Sequence, residues 1–191
     1  MSIGRRNGAF VCALLCAVVT AAGMSGTTPF NAYAAAQSDS KFSISTSSFQ
    51  PNGDIPTRYT CSGDNLSPAL AWTDPPAGTE SLVLIVDDPD APGGVFNHWV
   101  LYDLARSARR LPEGVPQKAD PEGARQGRNG FNELGYGGPC PPPGHVHRYY
   151  FRLYALDRKL ELPAGASKNA VEKAVQGHVL AQAEVMGRFK R

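Results

Sequence analysis

The chain carries little charge of either sign. Charged residues make up 19% of its 191 residues, and 19 Lys and Arg side chains are nearly balanced by 17 Asp and Glu, for a formal net charge of +2. A near-neutral protein has no global field that attracts nucleic acid or an anionic membrane. We therefore expect no nucleic-acid partner, and any anion must be recognised at a local site.

Long hydrophobic runs are scarce, and the most prominent one lies at the N-terminus. Residues 10–22 are uncharged and mostly apolar, and Arg5 and Arg6 precede them. The run is too short to span a membrane, which needs about 20 residues, so we expect no stable membrane insertion. Followed by the small-x-small site at residues 32–34, the pattern indicates a secretory signal peptide. An uncleaved anchor is the alternative.

These features predict an exported protein, periplasmic or secreted, with three parts. Residues 1–34 are the signal peptide, 35–41 a small, polar and disordered segment, and 42–191 one domain. Cleavage would remove two of the 19 basic residues and none of the 17 acidic ones, so the mature protein would be balanced.

Cysteines are few, and only two would remain after cleavage. Cys12 and Cys16 fall within the predicted signal peptide, whereas Cys61 and Cys140 lie in the domain. An export compartment permits disulfides, and two cysteines allow one intramolecular pair. We predict the pair Cys61–Cys140, which closes a loop of about 80 residues and contributes a few kcal/mol on chain-entropy grounds. Two free thiols are the alternative; neither cysteine has a second one at metal-ligand spacing.

Beyond residue 41 the pattern is that of a β protein. Residues 42–45 and 69–72 alternate between apolar and polar side chains, as half-buried strands do. Residues 81–86 form a continuous apolar run and predict a buried central strand. Residues 98–104 and the aromatic-rich 147–156 predict two more. Clusters of Pro, Gly, Asn and Asp separate these segments, as expected for turns.

The C-terminal region predicts a short helix and one more strand. Ser167 is a plausible N-cap for a helix with an apolar stripe, and Gly177 would end or interrupt it. Residues 178–183 suggest a second helical piece, and residues 184–189 a last strand. The polar, Gly-rich segment 114–135 predicts a long loop, which in a compact domain is usually functional or mobile.

Two histidine-containing motifs carry the functional signal. In each, a rigid loop rich in Pro or Gly leads to a histidine at the start of a strand: residues 88–92 precede His98, and residues 135–144 precede His147. Rigid loops with polar side chains at their rims build small-ligand sites. Either histidine alone would more often be structural; the two together predict a ligand site.

Four ordered segments give the chain a family resemblance: residues 59–68, 88–92, 97–99 and 135–149. With them, it resembles the phosphatidylethanolamine-binding protein (PEBP) family, also called Raf kinase inhibitor-like, and within it the bacterial YbhB/YbcL branch. The resemblance covers essentially the whole predicted mature chain.

The resemblance implies a fold and a site. The fold is mainly β, PEBP-like, with a large antiparallel sheet packed against a smaller one and short peripheral and C-terminal helices. The site is one small anion pocket at the mouth of the sheet that binds phosphate-like groups, including phosphoethanolamine head groups. Its residues in this chain would be Asp88, Asp90, His98, Gly138, Pro139, His147 and Tyr149.

The chemistry of these residues suits a phosphate. Both histidine rings and the Tyr149 hydroxyl can donate hydrogen bonds, and the Gly137-Gly138 backbone could form an anion nest. Asp88 would fix a histidine tautomer or receive a ligand's ammonium group. Histidines with pKa near 6.5 would bind a dianion better in mildly acid solution.

Nearby residues have simpler structural interpretations. Asp88 and Asp90 could be turn residues of Asp-Pro dipeptides, which we favour for Asp90. Arg148 alternates away from the predicted ligand residues and is expected to pair with an acid across the sheet. Trp99 is expected in the core.

Three functions are compared. The first is an exported, non-enzymatic protein that binds a small phosphate-type anion without a metal or cofactor, and a homodimer is allowed. The second is a secreted regulator that inhibits a protein partner. The third is a metal-dependent hydrolase, against which stand the missing Gly-x-Ser-x-Gly elbow and the absence of i, i+4 ligand spacing among Asp88, Asp90, His98 and His147.

Overall fold

The computed structural model describes residues 41–191. The predicted signal peptide and residues 35–40 of the predicted disordered segment lie outside the described residues. No helix within the described part of the chain is long and apolar enough to cross a bilayer.

Eight strands and one α-helix make up the described domain. The strands are β1 (Ile44–Ser45), β2 (Leu70–Trp72), β3 (Ser81–Asp88), β4 (Phe96–Ala105), β5 (Arg110–Leu111), β6 (Arg125–Gln126), β7 (His147–Leu156) and β8 (Val179–Phe189); the helix is α1 (Lys168–Val175). Short 3-10 turns occupy Thr57–Tyr59 and Pro121–Gly123. The mainly β fold with two antiparallel sheets, predicted from the sequence, is confirmed.

The larger sheet has five strands in the order β6-β4-β3-β7-β8, all antiparallel. β3 lies at its centre, and each of its eight residues is buried. This explains why residues 81–86 are apolar without alternation: both faces of a central strand are covered. The prediction of a central strand there is confirmed.

Each face of the large sheet packs against a different layer. Leu84 and Val86 on one face belong to a core that includes Leu70 and Trp72 of the small sheet, whose order is β1-β2-β5. Val83 on the other face packs with residues of α1. The alternation of side chains along β3 therefore feeds two separate cores.

The helix α1 begins where the sequence predicts. The Ser167 side chain accepts a hydrogen bond from the Ala170 N–H at 3.2 Å, so it caps the helix. Val171 and Val175 are its buried residues. Gly177 follows with φ +80°, a conformation that favours glycine, and turns the chain toward β8.

The second helical piece predicted at residues 178–183 is wrong. Val179–Phe189 is one continuous strand that pairs with β7 along its length, from Leu156↔Val179 to His147↔Phe189. The apolar residues Val179, Leu180 and Ala183 mimic helical spacing. Pairing with β7 overrides this local pattern, because an edge strand gains a whole ladder of backbone hydrogen bonds.

Candidate ligand-binding site

The two sequence motifs meet at one end of the large sheet. β3 ends there at Asp88, whereas β4 and β7 begin there with Phe96 and His147. A cavity of about 140 Å³ opens between these strand ends and the loops that connect them. It is lined by Asp88, Ala91, Pro92, Phe96, His98, Phe131, Cys140, Pro141, Pro142 and His147.

His147 is held by a buried carboxylate. Its Nδ1 donates to Asp88 Oδ2 at 2.7 Å, and only 6% and 4% of the two side chains are exposed. The other oxygen, Asp88 Oδ1, accepts the Asp90 N–H at 2.8 Å. Asp88 therefore has the first of its two predicted roles, because it fixes the tautomer and the orientation of the His147 ring.

His98 is held by the backbone of the second motif. Its Nδ1 lies 2.6 Å from the Gly137 carbonyl oxygen, which can only accept, so Nδ1 carries a proton. Burial lowers the pKa of His98 below its ordinary 6.5, against opposing contributions from the Gly137 carbonyl and the Asp88 charge. At neutral pH the ring is therefore neutral, and its Nε2 is an acceptor.

Neither imidazole Nε2 has a protein hydrogen-bond partner among residues 41–191. Both rings line the same cavity, so the free nitrogens of His98 and His147 are available to one small ligand. Each can donate a hydrogen bond to an anion when its ring is protonated.

Tyr149 is fully buried beside His98 and does not itself line the cavity. Its ring packs edge-on against His98 with centroids 5.2 Å apart. Its hydroxyl is buried and has no hydrogen-bond partner within the described residues. Burial and then the Asp88 charge raise the pKa of Tyr149, so the hydroxyl stays protonated. An unpaired buried hydroxyl costs free energy.

The predicted anion nest at Gly137-Gly138 is wrong. The Gly137 N–H donates to the His98 carbonyl at 2.8 Å, and the Gly138 N–H donates to Asn65 Oδ1 at 2.7 Å. Both donors are occupied inside the protein. Gly138 and Pro139 do not line the cavity; they hold the loop in place.

Gly138 is required by a close backbone approach. A Cβ built on Gly138 would lie 2.6 Å from the Tyr59 carbonyl oxygen. That oxygen is fixed because the Tyr136 hydroxyl donates to it at 2.7 Å. Only glycine fits at this position, because it has no Cβ.

A disulfide fixes the same loop. Cys61 and Cys140 are bonded, with Cα atoms 5.4 Å apart, as the sequence predicts. The Cys61 N–H also donates to the Pro139 carbonyl at 3.1 Å. Because Cys140 lines the cavity, the disulfide joins one of its walls to the segment around Tyr59.

Asp90 lies outside the cavity and is engaged by Arg148. The Arg148 guanidinium donates to both Asp90 carboxylate oxygens, at 2.6 and 2.9 Å. This pairing lowers the pKa of Asp90 to about 2. Arg148 therefore pairs with an acid, as predicted, and Asp90 belongs to the rim.

The rim borders a wider outer groove of about 500 Å³. His147 is shared by the groove and the cavity, as are Pro92 and Pro142. The other groove residues are Asp90, His145, Val146, Arg148 and Arg188.

Sequence reasoning missed the aromatic walls. The Phe96 and Phe131 rings pack with centroids 4.8 Å apart, and both lie close to His98. Phe131 comes from the long segment 114–135. The length of this segment and its glycines were the only sequence features that indicated a functional role. Gly130 marks the contact, because a Cβ there would lie 2.5 Å from Phe96.

The site combines apolar walls with two imidazoles whose orientation is fixed by hydrogen bonds at Nδ1. At about 140 Å³ the cavity is smaller than the usual sites of drug-sized ligands, which are about 300–1,000 Å³, so it suits a compact group. Trp99, predicted in the core, is fully buried and takes no part in the site.

This fold and this sequence define the class of the protein. The family model for phosphatidylethanolamine-binding protein matches residues 45–190, which is most of the chain. The chain therefore belongs to the phosphatidylethanolamine-binding protein family, and the resemblance predicted from the sequence is confirmed.

Relatives of the same type occur in bacteria and archaea. A UPF0098 protein of Aquifex aeolicus is 50% identical over 146 residues, covering 75% of this chain and 85% of the relative. A UPF0098 protein of Methanothermobacter thermautotrophicus is 50% identical over 149 residues, covering 78% and 98%.

Two crystal structures share the fold. The PEBP homolog CT736 from Chlamydia trachomatis matches with a TM-score of 0.73 and 38% identity, covering 79% of this chain and 98% of the other. Escherichia coli YbcL, described as a member of the mammalian PEBP family, matches with a TM-score of 0.74 and 31% identity, covering 79% and 99%.

Proposed function

We propose that this protein is an exported, non-enzymatic binding protein whose cavity takes a small phosphate-type anion, such as the head group of a phospholipid. The observation that carries the proposal is the pairing of two imidazoles at one small cavity. His98 and His147 each use Nδ1 inside the protein and leave Nε2 free for a ligand.

Binding rather than catalysis is supported by how the acids are used. Both Asp88 oxygens accept hydrogen bonds from the protein, and Asp90 is paired with Arg148. These carboxylates therefore hold the site in shape. Export is supported by the Cys61–Cys140 disulfide, since disulfides persist in oxidising compartments.

The protonation of His98 sets the pH dependence of binding. A neutral Nε2 cannot donate to a phosphate oxygen, so we expect an anion to bind with uptake of a proton by the ring or by the phosphate itself. Affinity should therefore increase as the pH falls.

The test is a calorimetric titration with inorganic phosphate and with phosphoethanolamine at about pH 5.5 and about pH 7.5. Residues 35–191 are suitable because they contain all of residues 45–190, which the family model matches. The matched 79% of this chain covers 98% and 99% of the two solved relatives. Saturable binding that is tighter at the lower pH is expected.

Matched histidine variants make the test specific. His147→Ala should abolish binding. His178→Ala should not change it, because His178 forms a comparable pair with Asp157 away from the cavity. If His147→Ala bound the anion as tightly as His178→Ala, the assigned cavity would be wrong. No binding by the unaltered protein at either pH would instead favour a regulator of a protein partner.

A further inference from the structure

The last strand of the large sheet, β8, has an open edge. One of its sides pairs with β7, and the other has no strand beside it in the described domain. Residues 52–55 cover the C-terminal part of this outer side, where the Met186 carbonyl accepts the Asn52 N–H at 2.8 Å. Within residues 41–191, no segment covers Val179–Val185 in the same way. We call Val179–Val185 the open stretch.

The open stretch presents backbone hydrogen-bonding groups at alternate residues. Successive residues of a strand direct their N–H and C=O groups to opposite sides. Met186 and Arg188 direct theirs away from β7, where residues 52–55 bind them. By the same alternation, Gln182 and Glu184 direct theirs away from β7 too. These N–H and C=O groups have no backbone partner in the part of the chain that the structure describes.

The open stretch has little of the protection that edge strands usually carry. Natural edges avoid pairing with another chain through charged residues, especially lysine, or through proline. Glu184 is the only charged residue between Val179 and Gly187, and no proline occurs there. Its carboxylate is bound by the Arg152 side chain at 2.7 Å. Val179 and Leu180 are apolar and 43% and 44% exposed. The stretch is therefore nearly neutral and accessible to a further strand.

The open stretch is complementary to a second copy of itself. Gln182 is its middle residue. When two such stretches pair in antiparallel fashion about Gln182, each Gln182 faces the other, and their outward N–H and C=O groups meet in register. Ala181 and Ala183 flank this centre with small side chains. The register shift between β7 and β8 lies on the N-terminal side of Ala181, so the centre is regular.

We propose that the open stretch is a dimerisation surface, at which two copies of the protein pair about Gln182 and join their five-stranded sheets. This inference goes beyond the proposed function and does not depend on it. Phe189, which pairs with His147 at the cavity end, lies seven residues beyond Gln182, roughly 23 Å along an extended strand. The contact therefore leaves the cavities open.

The extent of the contact indicates a weak dimer. The open stretch has seven residues, whereas a standard stable interface uses about 20–30 residues a side. We therefore expect a reversible dimer that dissociates on dilution.

The test is sedimentation equilibrium of residues 35–191 over a range of protein concentrations. The variants are Gln182→Glu and Gln182→Lys, each of which sets two like charges opposite each other at the centre of the contact. The matched controls are Gln176→Glu and Gln176→Lys, since Gln176 lies outside β8, at the end of α1. Both glutamines are exposed, so folding should be retained.

The unaltered protein should form more dimer as its concentration rises. Each Gln182 variant alone should dimerise roughly fivefold more weakly, because like charges directly opposite each other on paired strands are destabilising. An equimolar mixture of the two variants should form a heterodimer at least as tight as the unaltered dimer, because the facing charges are then opposite. The Gln176 variants should dimerise like the unaltered protein.

Hydrogen exchange gives a second readout of the same contact. The amides of Gln182 and Glu184 should be more protected at high protein concentration than at low concentration. A monomer at every concentration would overturn the inference. A dimer that is equally tight in the two Gln182 variants and in their mixture, with unchanged exchange at these amides, would also overturn it, because the copies would then meet at another face.

Discussion

The five-stranded sheet carries a histidine–aspartate pair near each end, and the two pairs differ in their surroundings. At the cavity end, His147 Nδ1 donates to Asp88 at 2.7 Å, with 6% and 4% of the side chains exposed. At the other end, His178 Nδ1 donates to Asp157 at 2.9 Å, with 33% and 46% exposed. The hydrogen bonds are nearly the same length.

The two pairs differ in the groups that surround the hydrogen bond. The buried pair lies beside a second imidazole, an unpaired tyrosine hydroxyl and a small cavity. The exposed pair is largely open to water, which screens its charge. A residue pair therefore defines a candidate site only through its burial and its neighbours, and the following predictions test this difference.

The largest effect is expected for Asp88→Asn compared with Asp157→Asn. The first replaces a buried charge-assisted hydrogen bond and should cost about 1.5–3 kcal/mol in the free energy of unfolding. The second removes an exposed pair and should cost about 0–1 kcal/mol. Urea denaturation measures both. Equal losses would show that burial does not distinguish the pairs.

Gly138→Ala compared with Gly93→Ala tests the rigidity of the cavity end. A Cβ at Gly138 would lie 2.6 Å from the Tyr59 carbonyl, whereas one at Gly93 has nothing within 4 Å. We expect the first to lower the free energy of unfolding by about 1–3 kcal/mol and the second to change it by less than about 0.5 kcal/mol. An unchanged free energy of unfolding in Gly138→Ala would mean that the loop around Gly138 can shift to accommodate a Cβ.

His98 should make stability depend on pH. Its pKa is lowered in the folded protein, so the unfolded chain binds the proton more readily below pH 6.5. The stabilisation that the neutral His98 ring contributes is therefore fully present above pH 6.5. It is lost as the pH falls toward the lower pKa that His98 has in the folded protein.

The variant that isolates this effect is His98→Asn, whose side-chain amide can still donate to the Gly137 carbonyl. Its free energy of unfolding should fall less between about pH 7.5 and about pH 5 than that of the unaltered protein. Parallel pH profiles, measured by urea denaturation, would contradict the assignment of a buried neutral ring.

The smallest effect is expected for Asp90→Asn on the rim. Arg148 is about half exposed and holds the Asp90 pKa at about 2. The pair therefore stabilises the fold above pH 3.8, and this contribution is lost as the pH falls through about 2. Phosphate affinity at neutral pH should stay within about twofold, as calorimetry can show. A complete loss would place Asp90 among the ligand contacts.

Much of this arrangement could be predicted from local sequence. The central strand followed from the unbroken apolar run at residues 81–86, and the helix α1 from its cap at Ser167. The two histidines could be paired because each follows a rigid loop. Such signals are short-range, so sequence reasoning can use them.

Other features could not be predicted because they depend on residues far apart in sequence. The amide of Gly138 donates to Asn65, which is 73 positions away, instead of forming a nest. The Phe131 wall reaches the cavity from a loop with no regular pattern. Residues 178–183 form a strand because β7 offers a partner that their own spacing does not reveal.

The sequence by itself determined the central strand, the helix α1, the disulfide partners and the histidines of the site, because composition, periodicity and rigid loops act locally. Only the tertiary structure decided which nitrogens of His98 and His147 are free, which acid is buried and which lies on the rim. These depend on burial and on hydrogen bonds between distant segments, and neither exists until the sheets have packed.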